Sequence, residues 1–173
     1  ISCEEEGLRQ AMKLLAEGAD ILDVGGESSR PGAEPVPLRE ELRRVVPLIR
    51  RIARETDVLL SIDTTKAEVA RQAIDAGAEI LNDITALRGD GRMARVAASA
   101  GVPVILMHMR GTPSTMQKGD LAYTSLIGEI RDFLEDRIEK ASSSGIAADN
   151  LIIDPGIGFG KSVDDTLRLL RQL

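Results

Sequence analysis

Residues 57–84 read DVLLSIDTTKAEVARQAIDAGAEILNDI. The apolar runs at 57–62 and 79–84 are short enough to be buried strands, and 66–77 between them has helical spacing. A strand, a helix and a second strand form a crossover unit, which makes the two strands parallel. The same alternation continues on either side. Towards the start, a helix at 4–17 carries Leu8, Met12 and Leu15 at helical spacing and stops at Gly18. A strand at 20–25 follows, then a helix at 38–55 with Leu42, Val45, Val46, Ile49 and Ile52 on one face. Pro47 lies inside that helix and predicts a kink or a late start. Towards the end come a helix at 91–101, a strand at 103–108, a long helix at 124–144, a strand at 151–154 and a helix from about 163.

Apolar strands joined by helical crossovers imply an α/β fold, a parallel sheet covered by helices on both faces. An open doubly wound sheet and a (β/α)8 barrel compete. No Gly-x-Gly-x-x-Gly turn follows the first strand, which weakens the dinucleotide-binding version. Polar residues stand at the C-terminal ends of the strands: Asp23 and Glu27, Asp63, Asn82 and Asp83, His108, Asp154. A barrel builds its active site on that rim from several strands, so the barrel is preferred. A complete one needs about 250 residues. The expectation is therefore a single, incomplete TIM-barrel domain over 1–173, with about five parallel strands and six helices, taken from the middle of a longer protein.

Composition narrows the class. The 173 residues are 43% apolar, which excludes disorder. A single cysteine, Cys3, suits a reducing compartment. No apolar run is long enough for a membrane span, and the acidic opening is unlike a signal peptide. A cytoplasmic location is expected. The net charge of −6 disfavours a nucleic-acid binder.

Three segments carry candidate chemistry. Gly25-Gly26-Glu27-Ser28-Ser29-Arg30-Pro31-Gly32 offers close backbone approach, hydroxyls and an arginine suited to phosphate, or else is an ordinary turn with an exposed arginine. In Ser61-Ile62-Asp63-Thr64-Thr65-Lys66, period-2 geometry puts Leu59, Ser61 and Asp63 on one side, leaving Thr64 or Thr65 to cap the next helix. The same period turns Asn82 inward with Ile80 and sends Asp83 to the outer wall, bonded to loop backbone. In Asp154-Pro155-Gly156-Ile157-Gly158-Phe159-Gly160-Lys161, Pro155 keeps Asp154 extended, and Phe159 either stacks on a flat ring or plugs the loop. His108, the only histidine, reads as structural, and no transition-metal cluster is evident. Asp63, Asn82 and Asp154 together make an acceptor-rich pocket suited to a heterocycle with several N–H donors, beside a loop fit for an anion.

With Leu81-Asn82-Asp83-Ile84 and Leu106-Met107-His108-Met109-Arg110-Gly111 added, these motifs resemble the dihydropteroate synthase family in order and interval, over essentially the whole chain. The resemblance implies a (β/α)8 barrel that joins 6-hydroxymethyl-7,8-dihydropterin diphosphate to 4-aminobenzoate and releases diphosphate with Mg2+ assistance, as a homodimer inhibited by sulfonamides. It implies that Asp154 and Asn82 bond the pterin edge, that Met107 lines the pocket and that Asp63 is the catalytic residue offsetting developing positive charge. Ser29, where the family commonly has threonine, would touch the diphosphate arm. Arg30, Pro31 and Phe159 would lie near diphosphate and aminobenzoate. The family's Asn-Val-Thr-Pro-Asp-Ser-Phe segment, with the Mg-associated Asn, and its later Ser-Arg-Lys and Arg-x-His strands are absent from these residues. No metal ligand is therefore expected here, and the chain by itself is expected to be inactive. Two other readings share the pocket: a methyltransferase using methyltetrahydrofolate, and a non-catalytic pterin-binding module.

Overall fold

A computed structural model describes residues 3–113, 115–116 and 122–172. Helix α1 (Cys3–Ala16) precedes β1 (Ile21–Gly25), α2 (Leu38–Glu55) leads to β2 (Leu59–Asp63), and α3 (Ala67–Ala76) to β3 (Ile80–Asp83). Then come α4 (Met93–Ala100), β4 (Val104–Met107) and α5 (Leu126–Ser143). A 3-10 turn (Ala148–Asn150), β5 (Leu151–Asp154) and α6 (Val163–Leu170) follow. The expected elements are all found, with ends displaced by one or two residues.

All four strand pairs are parallel, and the spatial order β1-β2-β3-β4-β5 repeats the chain order. A doubly wound sheet reverses at a switch point. This one does not, so it has the winding of a barrel wall: an arc of five strands in an incomplete (β/α)8 barrel.

The helices cover one face of the sheet only, which corrects the expectation of a sheet clad on both sides. Leu22, Leu60, Ile62, Leu81, Val104 and Leu106 join helix residues such as Val45, Ile49, Val69 and Ala73 in one core. On the other face Ile21, Leu59 and Ile152 remain 48%, 44% and 44% exposed. The physical reason is the architecture itself, since a barrel fills its inner face with side chains from its own strands rather than with helices.

The late start weighed for α2 is excluded, and the capping of α3 differs from expectation. Helix α2 starts at Leu38 and runs through Pro47 without a delayed start. Losing one ladder bond to an interior proline costs about 3 kcal/mol. Burial of Val45, Val46, Ile49 and Ile52 on the same helix outweighs it, at about 2 kcal/mol for each side chain. Neither Thr64 nor Thr65 caps α3. Thr64 Oγ1 accepts from Lys66 N at 3.2 Å, one residue short of the helix. The first helical N–H, from Ala67, goes to Asp90 Oδ2 at 3.1 Å, supplied by the loop after β3.

Candidate functional site

Strand alternation sets the inner face. Asp23 and Gly25 lie on it from β1, Ser61 and Asp63 from β2, Asn82 from β3, Met107 from β4 and Asp154 from β5. The register sets Asp63 directly beside Asn82, and Met107 beside Asp154. With strands about 4.8 Å apart, Asp63, Asn82 and Asp154 therefore share one face at the C-terminal rim, as the sequence predicts.

Their surroundings differ. Asn82 Nδ2 donates to Asp23 Oδ2 at 3.0 Å, reaching across β2. The Asp63 carboxylate makes no hydrogen bond with the described residues. Burial, then the neighbouring Asp23, Asp83, Glu41 and Glu27 carboxylates, push its pKa up to about 7. Asp154 Oδ1 accepts from Gly156 N at 2.7 Å, which fixes one carboxylate oxygen against the start of the next loop. One row below Asp63, Ser61 Oγ is fully buried without a hydrogen-bond partner among the described residues. Asp83 takes the outward role expected of it. It is 0% exposed and accepts from Thr85 N, Thr85 Oγ1 and Leu87 N at 2.8, 2.7 and 3.0 Å.

The loop after β1 is anchored by charge. Glu27 Oε2 accepts from Val36 N at 3.0 Å and from Lys66 Nζ at 2.5 Å. Lys66 also pairs with Glu41, a buried carboxylate that takes the Thr64 hydroxyl at 2.6 Å. Burial opposes the charge on Lys66, but the bonds from Glu27 and Glu41 prevail and raise its pKa. Arg44 Nη1 donates to Gly26 O at 2.9 Å. Glu27, Glu41, Thr64 and Lys66 border a cleft of about 120 Å³ that Ser28, Ser29, Asp63, Thr65 and Thr85 also line. Arg30 and Pro31 are exposed and outside that lining.

The loop after β5 closes around a different cation. Lys161 Nζ, 4% exposed by residue, donates to Gly156 O at 2.9 Å, Phe159 O at 3.1 Å and His108 O at 3.3 Å. It also stands 3.0 Å from His108 Nδ1. Burial lowers the Lys161 pKa to about 8, while burial and then the Lys161 charge lower that of His108 to about 4. Lys161 is therefore an ammonium and His108 a neutral imidazole at neutral pH, with Nδ1 accepting. Phe159 packs against Ile84, Met107, Met109 and Met116, so it plugs the loop; stacking on a ring is the alternative this packing disfavours.

Lys66, Glu41 and Lys161 are the organising residues that the sequence reading did not single out. Their signals were present: Glu41 is a carboxylate on the buried stripe of α2, and Lys161 is a cation closing a glycine run. Among the described residues, no group of three His, Cys, Asp or Glu side chains is arranged to hold a metal ion. No helix among them is long and apolar enough to cross a membrane.

The family model described as "Pterin binding enzyme" matches residues 3–173. A dihydropteroate synthase from Synechocystis sp. is 47% identical over 166 residues, covering 96% of this chain and 57% of that protein. The Escherichia coli K12 dihydropteroate synthase is 42% identical, covering 97% and 59%. Among solved structures, the Yersinia pestis dihydropteroate synthase with a sulfonamide drug superposes with a TM-score of 0.93 at 42% identity, over 98% of this chain and 60% of that one. The Xanthomonas albilineans enzyme with 7,8-dihydropteroate gives 0.85 at 40%, over 99% and 59%. The chain thus spans 57–60% of the length of these four relatives. A match over nearly every residue, together with a rim whose polar groups share one face, carries the conclusion that this chain belongs to the family of pterin-binding enzymes.

Proposed function

We propose that the protein containing this chain is a dihydropteroate synthase-type transferase of folate biosynthesis. It would condense 6-hydroxymethyl-7,8-dihydropterin diphosphate with 4-aminobenzoate. The observation that carries this reading is the single inner face shared by Asp63, Asn82, Met107 and Asp154, with the Ser29 cleft at its edge. Asp154 and Asn82 accept and donate along the edge of the pterin, and Met107 lies against its face. Ser29 meets the diphosphate arm. Arg30 and Pro31, at the exposed tip of that loop, face diphosphate and aminobenzoate, and Phe159 backs the aminobenzoate side.

In the reaction the methylene C–O bond breaks and its electron pair leaves on diphosphate. The aminobenzoate nitrogen then bonds the methylene carbon and loses a proton. Positive charge develops on the pterin, and fixed carboxylates favour it without reorganising. Asp63 sits where Asp23, Asp83, Glu41 and Glu27 already make the potential negative. Holding amine and pterin in line supplies the remaining acceleration by positioning. Mg2+ is implied by the family, but the described residues offer it no cluster, and no step here runs through it. Location in the cytoplasm and a homodimeric assembly belong to the same proposal, the first supported by a single cysteine and the second by the family resemblance alone.

Diphosphate release that depends on 4-aminobenzoate, measured with the intact protein, tests the reading. It also separates it from a methyltransferase, which releases none. Asp154→Asn replaces an acceptor with a donor facing a donor, so calorimetry with 6-hydroxymethylpterin should show at least a tenfold loss, equivalent to about 1.4 kcal/mol. Unchanged affinity would remove Asp154 from the pocket.

A further inference from the structure

We propose that Lys161 is a positioning residue for ring binding: its ammonium pins the glycine-rich loop so that Asp154 and Phe159 stand correctly beside Met107. The inference rests on the pterin-pocket reading above and assigns a role to a residue outside the proposed contact set.

The geometry carries it. An ammonium has three protons, and Lys161 Nζ faces four acceptors, three of them backbone carbonyls from two segments. His108 O and the His108 ring directly follow β4, whereas Gly156 O and Phe159 O belong to the loop after β5. One side chain therefore ties these neighbouring rim segments together from inside. One loop carbonyl belongs to the residue that holds Asp154, assigned to the pterin edge, and the other to Phe159, which backs the aminobenzoate side. Gly156 accepts from Lys161 through its oxygen and donates through its nitrogen to Asp154 Oδ1, so that residue couples the ammonium to the carboxylate. Phe159 is held by its carbonyl while its ring packs on the cluster of Ile84, Met107, Met109 and Met116. Glycines at positive φ (Gly156 +68°, Gly158 +81°, Gly160 +64°) curl the loop around the ammonium.

Charged groups surround the pin. Asp154 from β5 and Asp165 from α6 favour the ammonium, Arg110 after β4 opposes it, and His108 is the titratable ring in contact. Tyr123 closes the far side by donating to Gly160 O at 2.9 Å.

His108 and Tyr123 are the only histidine and tyrosine of these 173 residues, and their signals in the intact protein are assigned by their loss in His108→Asn and Tyr123→Phe. In the wild-type protein, 15N NMR of the imidazole should show Nε2 protonated, Nδ1 accepting, and titration near pH 4 rather than 6.5. A ring protonated at Nδ1, or one titrating in its ordinary range, would overturn the pin without any variant being made. In Lys161→Met, the His108 midpoint should move up towards 6.5, Tyr123 fluorescence should change, and the dissociation constant for 6-hydroxymethylpterin should rise at least tenfold. A purely structural lysine would leave pterin affinity unchanged in the folded variant, which would overturn the proposal while the pocket reading stands. Wild-type protein that shows the histidine signature but binds no pterin would overturn the pocket reading, and with it Lys161's part in ring binding.

Discussion

The loops after β1 and β5 rise from the same rim of the sheet, and each is secured by a lysine, but by opposite means. Lys66 lies between two carboxylates, Glu27 and Glu41, and its charge is reinforced. Lys161 lies among carbonyls and an imidazole, and burial pulls its pKa down to about 8. The first loop is fastened near its two ends, at Gly26 and Glu27 and at Val36, while Arg30 and Pro31 at its tip remain exposed. The second is fastened along its length, through Gly156, Phe159 and Gly160. The difference matches the two tasks proposed for them. A flat ring needs a fixed template, whereas a diphosphate arm and an incoming amine need a loop that can close.

Glycine substitutions test the comparison most severely. A Cβ on Gly156 would lie 2.0 Å from His108 O, a backbone atom held in the cage, and φ is already +68°. Gly156→Ala should cost roughly 4 kcal/mol, the sum of left-handed strain and a clash that cannot relax cheaply. Gly32→Ala has a similar φ of +82° but nothing within 4 Å, so only the strain of about 1 kcal/mol remains. Urea unfolding midpoints measure both. Equal losses would mean that the two loops are equally packed.

A smaller effect is expected at Glu41. Glu41→Ala leaves the Thr64 hydroxyl without its acceptor and Lys66 with Glu27 alone. Breaking a fully buried pair costs about 3–5 kcal/mol. Lys66 keeps 27% side-chain exposure, which reduces the expected loss to about 2 kcal/mol. If charge anchors the first loop alone, the Tyr123 fluorescence beside the second should not change.

The fold was legible because apolar periodicity is local: strands of four or five residues and helices with one buried stripe leave their mark within a window. Asp63, Asn82 and Asp154 were legible for the same reason, since alternation along a strand decides which side chains face inward. What escaped the sequence depends on contacts between distant segments. The Asn82–Asp23 bond spans the intervening strand β2, where the small Ser61 stands beside Asp23 and leaves room for it. The Lys161 cage is made of carbonyls, which every residue has, and their convergence becomes apparent only in the folded loop. Cladding on one face only was hidden too, because a strand of a barrel and one of a two-sided sheet have similarly apolar sequences.

The two sides of the rim should also respond to pH in opposite directions. Asp63, pushed from 3.8 up to about 7, holds its proton longer in the folded state than in the unfolded one. Its contribution is therefore lost as pH rises through that interval. His108, lowered from 6.5 to about 4, stays neutral when the unfolded chain takes a proton, so stability is lost as pH falls through that interval. Near pH 5–6.5 the two slopes oppose each other in the wild-type protein. Asp63→Asn leaves the histidine slope, a loss of about 2 kcal/mol on acidification from pH 6.5 to about pH 5. His108→Asn, whose Oδ1 can still accept from Lys161, leaves the Asp63 slope, a gain of about 1 kcal/mol from pH 7 to about pH 5.5, reduced because that carboxyl keeps some solvent contact. The window lies above the range in which Glu40, Glu68 and Asp90, all lowered to about 2, begin to lose their own stabilisation. Denaturant midpoints that moved the same way with pH in both variants would show that the acidic and cationic sides of this rim are not electrostatically distinct.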